Sequence, residues 1–158
     1  MERAALRLAS PFLRVKAMNI ETNQAGWTSA AVLIGRLIFA AVFIVGLSFK
    51  FMDIDGTAGY IASAGFPMSM LMLWFAVLLE LALVACFLTG AYFSQAALLA
   101  AAYVLFLGFV FHGPSHWQDN KMEFGLFVNH LSFIAGLLFA AAHGPGRVLA
   151  MQMRRVAR

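Results

Sequence analysis

Residues 73–87, LWFAVLLELALVACF, are apolar at every position except one carboxylate, Glu80. The surrounding run, 68–88, is long enough to cross the ~30 Å of hydrocarbon in a bilayer, which takes about 20 helical residues. A charge at mid-bilayer costs about 2.5 to 3.5 kcal/mol on insertion scales. If this run spans a membrane, Glu80 needs an opposite charge or a polar cavity.

Composition supports the membrane environment. The chain has 158 residues, of which 63% are hydrophobic and 11% charged, whereas soluble domains carry roughly 25% charged residues. The net charge of +4 comes from basic residues in the two tails, which form no patch among aromatics and therefore do not indicate nucleic-acid binding. The single cysteine, Cys86, excludes an internal disulfide and a CxxC pair.

Four apolar runs are long enough to span the bilayer, and the segments between them are rich in Gly, Pro and charge. The first break, 50–67, carries acids, glycines and a proline, and the last run ends at Gly144-Pro145-Gly146. We therefore predict an all-α fold, a four-helix transmembrane bundle in the lipid bilayer. The predicted spans are Ser29–Phe49, Met68–Leu88, Ser94–Phe111 and Phe124–Ala142.

The predicted division of the chain is a basic tail (1–28), a membrane domain (29–147) and a second basic tail (148–158). Arginines at positions 3, 7 and 14 interrupt the first segment, so it is not a cleavable signal peptide. Three interpretations of it stay open: a basic amphipathic helix on the membrane surface, a disordered tail, or a true start at Met18.

The basic residues also predict orientation. Eight of them lie before the first span or after the last one, at positions 3, 7, 14, 16, 147, 154, 155 and 158, whereas the loops on the opposite side carry only Lys50 and Lys121. Because Lys and Arg accumulate on the cytoplasmic side, we predict that the N and C termini are both cytoplasmic.

Arg36 is the predicted partner of Glu80. It lies seven residues after Ser29, ~10 Å into the first span, and Glu80 lies eight residues before Leu88, ~12 Å into the second. Their equal depth predicts an ion pair. The pair could serve only to set helix register, or it could handle a proton or a polar ligand head. The remaining alternative is that the two side chains miss each other and Glu80 is protonated.

Three further polar residues complete the candidate site. His130 lies ~18 Å deep in the fourth span, as a hydrogen-bonded core residue or a ligand-binding one. Asn129 belongs to a small and polar stripe that indicates close helix packing or a binding groove. Lys50 is the candidate at the outer face. It lies only ~40° round the first span from Arg36 and so faces the same interior, but at the outer surface, where its long side chain could reach water.

Neither haem nor metal is expected. A haem between helices needs two histidines at matched depth, and the levels of His112 and His130 differ by ~9 Å. His112 and His116 flank Gly113-Pro114, but their spacing matches no tight metal site.

Residues 35–147 resemble the DoxX family of small four-helix bacterial membrane proteins. The resemblance is carried by the order and spacing of five segments, GRLIFAAVFIVGLSFKF (35–51), GYIASAGFP (59–67), LLELALVACFLTG (78–90), FVNHLSFIAGLLFAA (127–141) and GPGR (144–147). Relatives often have Lys-Asn where this chain has Asn129-His130, so a role of that lysine does not transfer.

The resemblance implies a multi-pass protein of the bacterial inner membrane. Some family members resemble subunits of quinone-linked sulfur or quinol oxidases, and others associate with thiol proteins. It therefore implies an accessory or quinone-site subunit with quinone as the cofactor and a protein partner or a homo-oligomer. The alternatives are a non-enzymatic scaffold and, with least support, a small-solute transporter, since the spans lack broken helices.

Overall fold

The computed structural model describes residues 11–118, 120–146 and 148–150, with side chains from residue 26 onward. Within these ranges the chain forms five α-helices and one 3-10 turn, Pro114–His116, and no strand. The helices are α1 (Pro11–Met52), α2 (Ile54–Ser63), α3 (Ser69–Thr89), α4 (Phe93–His112) and α5 (Lys121–His143).

Four helical stretches are long and apolar enough to cross a membrane, which confirms the four predicted spans. They are Gly26–Met52, Ser69–Thr89, Phe93–His116 and Lys121–His143. The division predicted at residue 28 is not a break in secondary structure, because α1 runs without interruption from Pro11. Residues 1–10, the first part of the predicted tail, lie outside the described residues.

The polar break between the first two spans contains a helix that the sequence analysis did not predict. Asp53 ends α1 and caps α2, because its Oδ1 accepts a hydrogen bond from the backbone N–H of Gly56 at 2.8 Å. Ala58 is buried on the inner face of α2, within a small apolar cluster shared with α1 and α3. The helix therefore lies against the ends of α1 and α3, which we term the α2 end of the bundle.

The four spanning helices form two antiparallel pairs, α1 with α3 and α4 with α5. Phenylalanine rings join the pairs in the half of the bundle far from α2, with centroids 5.4 to 6.1 Å apart. These rings belong to Phe39, Phe43, Phe87, Phe93 and Phe133. Toward the α2 end two cavities lie where the pairs meet, so that end holds the candidate site.

Candidate functional site

Glu80 is bound by two side chains from different helices. Its carboxylate is 3% exposed, and Lys50 Nζ lies 2.9 Å from Oε1 and 3.0 Å from Oε2. Tyr103 donates its hydroxyl proton to Oε1 at 2.7 Å. The predicted Arg36–Glu80 ion pair is therefore wrong: the positive partner of Glu80 is Lys50.

Lys50 reaches Glu80 because helical side chains tilt toward the N-terminus of their own helix. Its Nζ extends back one turn, where it also donates to the carbonyl of Gly46 at 3.3 Å. Gly46 lies beside the ion pair, since a Cβ there would make ordinary van der Waals contact with Glu80 Oε2, at 3.7 Å. Lys50 faces the bundle interior, as predicted, but its head does not lie at the surface, because the buried carboxylate draws it inward, to 18% exposure.

Arg36 instead binds backbone. Its side chain is 1% exposed, and each of its five N–H donors has a carbonyl acceptor at 2.9 to 3.2 Å. The acceptors are the carbonyls of Phe87, Leu88, Pro145, Val148 and Leu149. The two in the last turn of α3 lack helical partners and lie at the negative end of the helix dipole.

The error in depth has a simple origin. Arg36 is level with Gly90 at the end of α3, since a Cβ on Gly90 would lie 3.1 Å from Arg36 Nη2. Gly46 lies ten residues after Arg36, and Glu80 lies ten residues before Gly90. The contact of Glu80 with Gly46 is therefore about 15 Å closer to the α2 end than the level shared by Arg36 and Gly90. Because α1 extends well past the end of α3, counting from Ser29 placed Arg36 too deep.

The Lys50–Glu80–Tyr103 cluster lies between the two cavities, which measure about 410 and 310 Å³. Lys50, Tyr103, Leu107 and His130 line both. The larger cavity is walled mainly by apolar side chains of α2, α3, α4 and the loop between α2 and α3. They include Ile61, Phe66, Phe75, Leu79 and Phe106. The smaller one lies between α1, α4 and α5, and Glu80 and Asn129 are in its wall.

His130 sits where α4 and α5 approach closely. A Cβ on Gly108 of α4 would lie 3.2 Å from His130 Cβ, so the glycine makes room for the histidine. His130 donates Nδ1–H to the carbonyl of Leu126 at 2.8 Å, which leaves Nε2 for the cavities. His130 and Glu80 line the same smaller cavity.

The small and polar stripe of α5, which includes Asn129 and Gly136, was predicted to serve helix packing or to line a groove, and its two members lie in different surroundings. Gly136 approaches Phe39 of α1, at 3.6 Å from a built Cβ to Cζ, which is close helix packing. Asn129 lies two turns before Gly136, nearer the α2 end, where it is exposed and lines the smaller cavity. Its amide therefore belongs to a groove rather than to a helix contact.

The rings of His112 and His130 lie much closer than the predicted ~9 Å, with centroids 5.1 Å apart. The helices are antiparallel and each side chain tilts toward its own N-terminus, so the two rings converge. His112 Nδ1 also hydrogen-bonds the carboxylate of Glu123. Among the described residues, no group of three His, Cys, Asp or Glu side chains is placed to hold a metal ion.

Two tyrosines of the site escaped the sequence analysis. Tyr103 could be noticed in the sequence as a hydroxyl within the apolar run of the third span. Whether that hydroxyl lies level with Glu80 depends on how the helices pack. Tyr60 of α2 lines the larger cavity and stacks on Phe111, with centroids 4.8 Å apart. Partial burial, and then the negative charge of Glu123, raise the pKa of Tyr60, which therefore stays protonated at neutral pH.

Comparison with known proteins gives one family and one curated relative. A family model described as DoxX matches residues 31–113. The inner membrane protein YphA of Escherichia coli (strain K12) is 31% identical over 121 residues, which cover 74% of this chain and 85% of that protein. No solved structure matches the chain.

Proposed function

The chain belongs to the DoxX family, and from that premise we propose that this multi-pass inner membrane protein is an accessory, quinone-site subunit of a membrane redox system. One observation carries the proposal. A buried, charge-balanced cluster of Lys50, Glu80 and Tyr103 separates two largely apolar cavities of about 410 and 310 Å³. Ligand cavities are typically apolar, of roughly 300 to 1,000 Å³, with a few polar groups that orient the ligand.

The residues present suit a quinone head group, which has a flat apolar ring and two carbonyl acceptors. Aromatic side chains such as Phe66 and Phe106 wall the larger cavity, and aromatic rings favour stacking at offset or edge-on geometries. The hydrogen-bonding side chains on its wall include Tyr60, His112 and His130, together with Lys50, Thr57 and Tyr103. A bound quinone would supply two-electron, two-proton chemistry, which a chain with one cysteine cannot obtain from an internal disulfide.

The ion pair supports such a site in a specific way. Lys50 balances the charge of Glu80, and Tyr103 satisfies a further lone pair of the carboxylate, so the polar wall carries little net charge. A neutral polar wall beside apolar side chains favours a neutral, lipid-soluble ligand over an ion, because an ion would lose its hydration without gaining a counter-charge.

The quinone site is tested by a substitution that fills the cavities and leaves Lys50 and Glu80 unchanged. In Leu107→Trp the larger side chain enters the wall of both cavities, and we expect apparent quinone affinity to fall by at least about tenfold, or ~1.4 kcal/mol. The protein is placed in quinone-free lipid nanodiscs and photolabelled with an azido-quinone, and decylubiquinone is added as competitor.

Leu105→Trp is the matched control, since Leu105 is on the same helix and 39% exposed. It should bind the competitor like the unmodified chain, and mass spectrometry should place the label on α2 or α4. Label that does not saturate, or equal labelling of both tryptophan variants, would rule out a quinone site here.

A scaffold role is the second candidate, and the backbone contacts of Arg36 favour it, because all five donors serve to hold chain segments together. In that case the charges would serve packing alone. The double variant Lys50→Met, Glu80→Gln would then recover a cross-linked partner, or a second copy of the chain, as well as the unmodified protein does. A quinone-site subunit would lose quinone labelling in the same variant.

A further inference from the structure

We propose that His112 and His130 carry protons between water at the α2 end of the bundle and the quinone site, an inference that rests on the function proposed above. The cavity wall and the membrane surface are joined at this point by a short row of titratable groups. The row consists of Glu123, His112 and His130, followed by Tyr103 and Glu80 across the cavities.

The row begins at the surface. The side chains of His112 and Glu123 are 19% and 24% exposed, so both can exchange protons with water. The Glu123 carboxylate holds His112 through Nδ1, and a partner on one ring nitrogen orients the imidazole and leaves Nε2 to accept or release a proton. Trp117 donates its indole N–H to the carbonyl of His112 at 2.9 Å, which secures the end of α4 beneath the ring.

The second step is His130. Its ring centroid lies 5.1 Å from that of His112, within reach of a direct hydrogen bond after a small rotation or of one bridging water. His130 donates Nδ1–H to the carbonyl of Leu126, four residues earlier in the same helix. Both histidines thus have one nitrogen held by α5 and the other available to the larger cavity, which both of them line.

The third step reaches the buried cluster. His130 and Tyr103 line both cavities, and the Tyr103 hydroxyl is bonded to Glu80. Charged or titratable groups share the cavity walls with the histidines or bind them from every helix. They are Lys50 from α1, Tyr60 from α2, Glu80 from α3, Tyr103 from α4 and Glu123 from α5. Tyr60 stays protonated at neutral pH because its pKa is raised.

The reaction that needs this route is the interconversion of quinol and quinone. When a quinol is oxidised, two O–H bonds break, two C=O bonds form, two electrons pass to an oxidant and two protons must leave the cavity. In the assay below the oxidant is ferricyanide, two ions of which each accept one electron and no proton. The two protons must therefore be taken up by groups on the cavity wall or by water.

The experiment follows proton release from decylubiquinol held by the protein in anaerobic nanodiscs, with a pH dye in stopped flow after ferricyanide is added. His112→Phe and His130→Phe keep the ring volume and remove both nitrogens. We expect each to slow proton release by about 100-fold, the scale of one positioned acid–base group, while decylubiquinol affinity changes less than about twofold, or ~0.4 kcal/mol. His116→Phe is the matched control, since that exposed imidazole lies one turn away and lines neither cavity.

Added imidazole distinguishes proton transfer from packing. In His112→Ala it should restore the rate, because free imidazole can replace a proton carrier but cannot restore a packed side chain. Release at the unmodified rate in both phenylalanine variants, with binding retained, would overturn the relay and leave the quinone site standing. Absence of saturable decylubiquinol binding by the unmodified protein would overturn both.

Discussion

Arg36 and Lys50 show how two buried cations can have opposite roles. Arginine offers five donors in a rigid fork and stays charged, and the structure places five carbonyl oxygens around it. Three of these belong to residues 145–149, so Arg36 holds the segment after α5 against the end of α3. Lysine is a compact charge on a flexible stem, and Lys50 uses that reach to neutralise Glu80.

A pair of double-mutant cycles tests this assignment. Lys50→Met and Glu80→Gln should each destabilise the protein by about 3 kcal/mol, because each strands a buried charge. Together they should cost less than their sum, with a coupling of about 1 to 3 kcal/mol. Unfolding in mixed micelles provides the free energies.

The matched cycle combines Arg36→Lys with Glu80→Gln. Since Arg36 contacts backbone about 15 Å away along the helix axis, their effects should add within about 0.5 kcal/mol. Coupling in this second cycle, and none in the first, would restore the ion pair that the depth count predicted.

At the scale of helices, side-chain tilt and glycine positions decide which groups meet. In antiparallel helices two side chains separated in level can converge, as His112 and His130 do. The same tilt brings Lys50 back to Gly46. Counting residues gives the level of each Cα, whereas the functional atoms of long side chains lie up to a turn away.

Two glycine substitutions test the close approach of α4 and α5. Gly108→Ala would place a Cβ 3.2 Å from His130 Cβ, so we expect a loss of about 1 to 3 kcal/mol from overpacking. Gly125→Ala, on α5 with nothing within 4 Å, should be neutral or stabilising by up to about 1 kcal/mol through helix propensity. Thermal unfolding in detergent compares them, and equal melting temperatures for both variants would contradict the packing described.

The whole molecule consists of two helix pairs that pack tightly far from α2 and leave cavities near it. Phenylalanine rings fill the tight half, while the other half carries the ion pair and the histidines. The cavities and the titratable groups around them therefore lie at the α2 end, whereas the buried guanidinium of Arg36 lies at the other end. Which membrane face the α2 end adjoins determines where protons would enter the proposed route.

The excess of basic residues in the tails predicts that this end faces the periplasm. A green fluorescent protein fused after Arg158 should fluoresce and alkaline phosphatase at the same position should be inactive, because both termini are predicted to be cytoplasmic. Fusions after Ser115, in the turn that follows α4, serve as the control and should give the reverse. An active phosphatase at the C terminus would invert the predicted topology.

Local composition was enough to establish the membrane environment, the four spans and the presence of buried charges that need partners. Each of these follows from the chain's own apolar runs, because about 20 consecutive apolar residues are enough to form a helix that is stable across the bilayer, whichever helices it packs against. The candidate residues Glu80, His130 and Lys50 were found in the same way, because a charge within an apolar run stands out. Tyr103 was missed because a lone tyrosine in such a run is ordinary.

Only the tertiary structure decided which of these groups meet. Pairing depends on how far each helix slides along its neighbour, and that offset comes from packing and from chain ends such as Gly90 at the close of α3, not from the hydropathy of either helix. The depth of Arg36 relative to the end of α3 was overestimated by about 10 Å, and this error was enough to pair Glu80 with Arg36. The folded bundle gives Glu80 to Lys50 and Tyr103 and leaves Arg36 to the backbone, because a buried charge is stable only where donors and acceptors come within hydrogen-bonding distance.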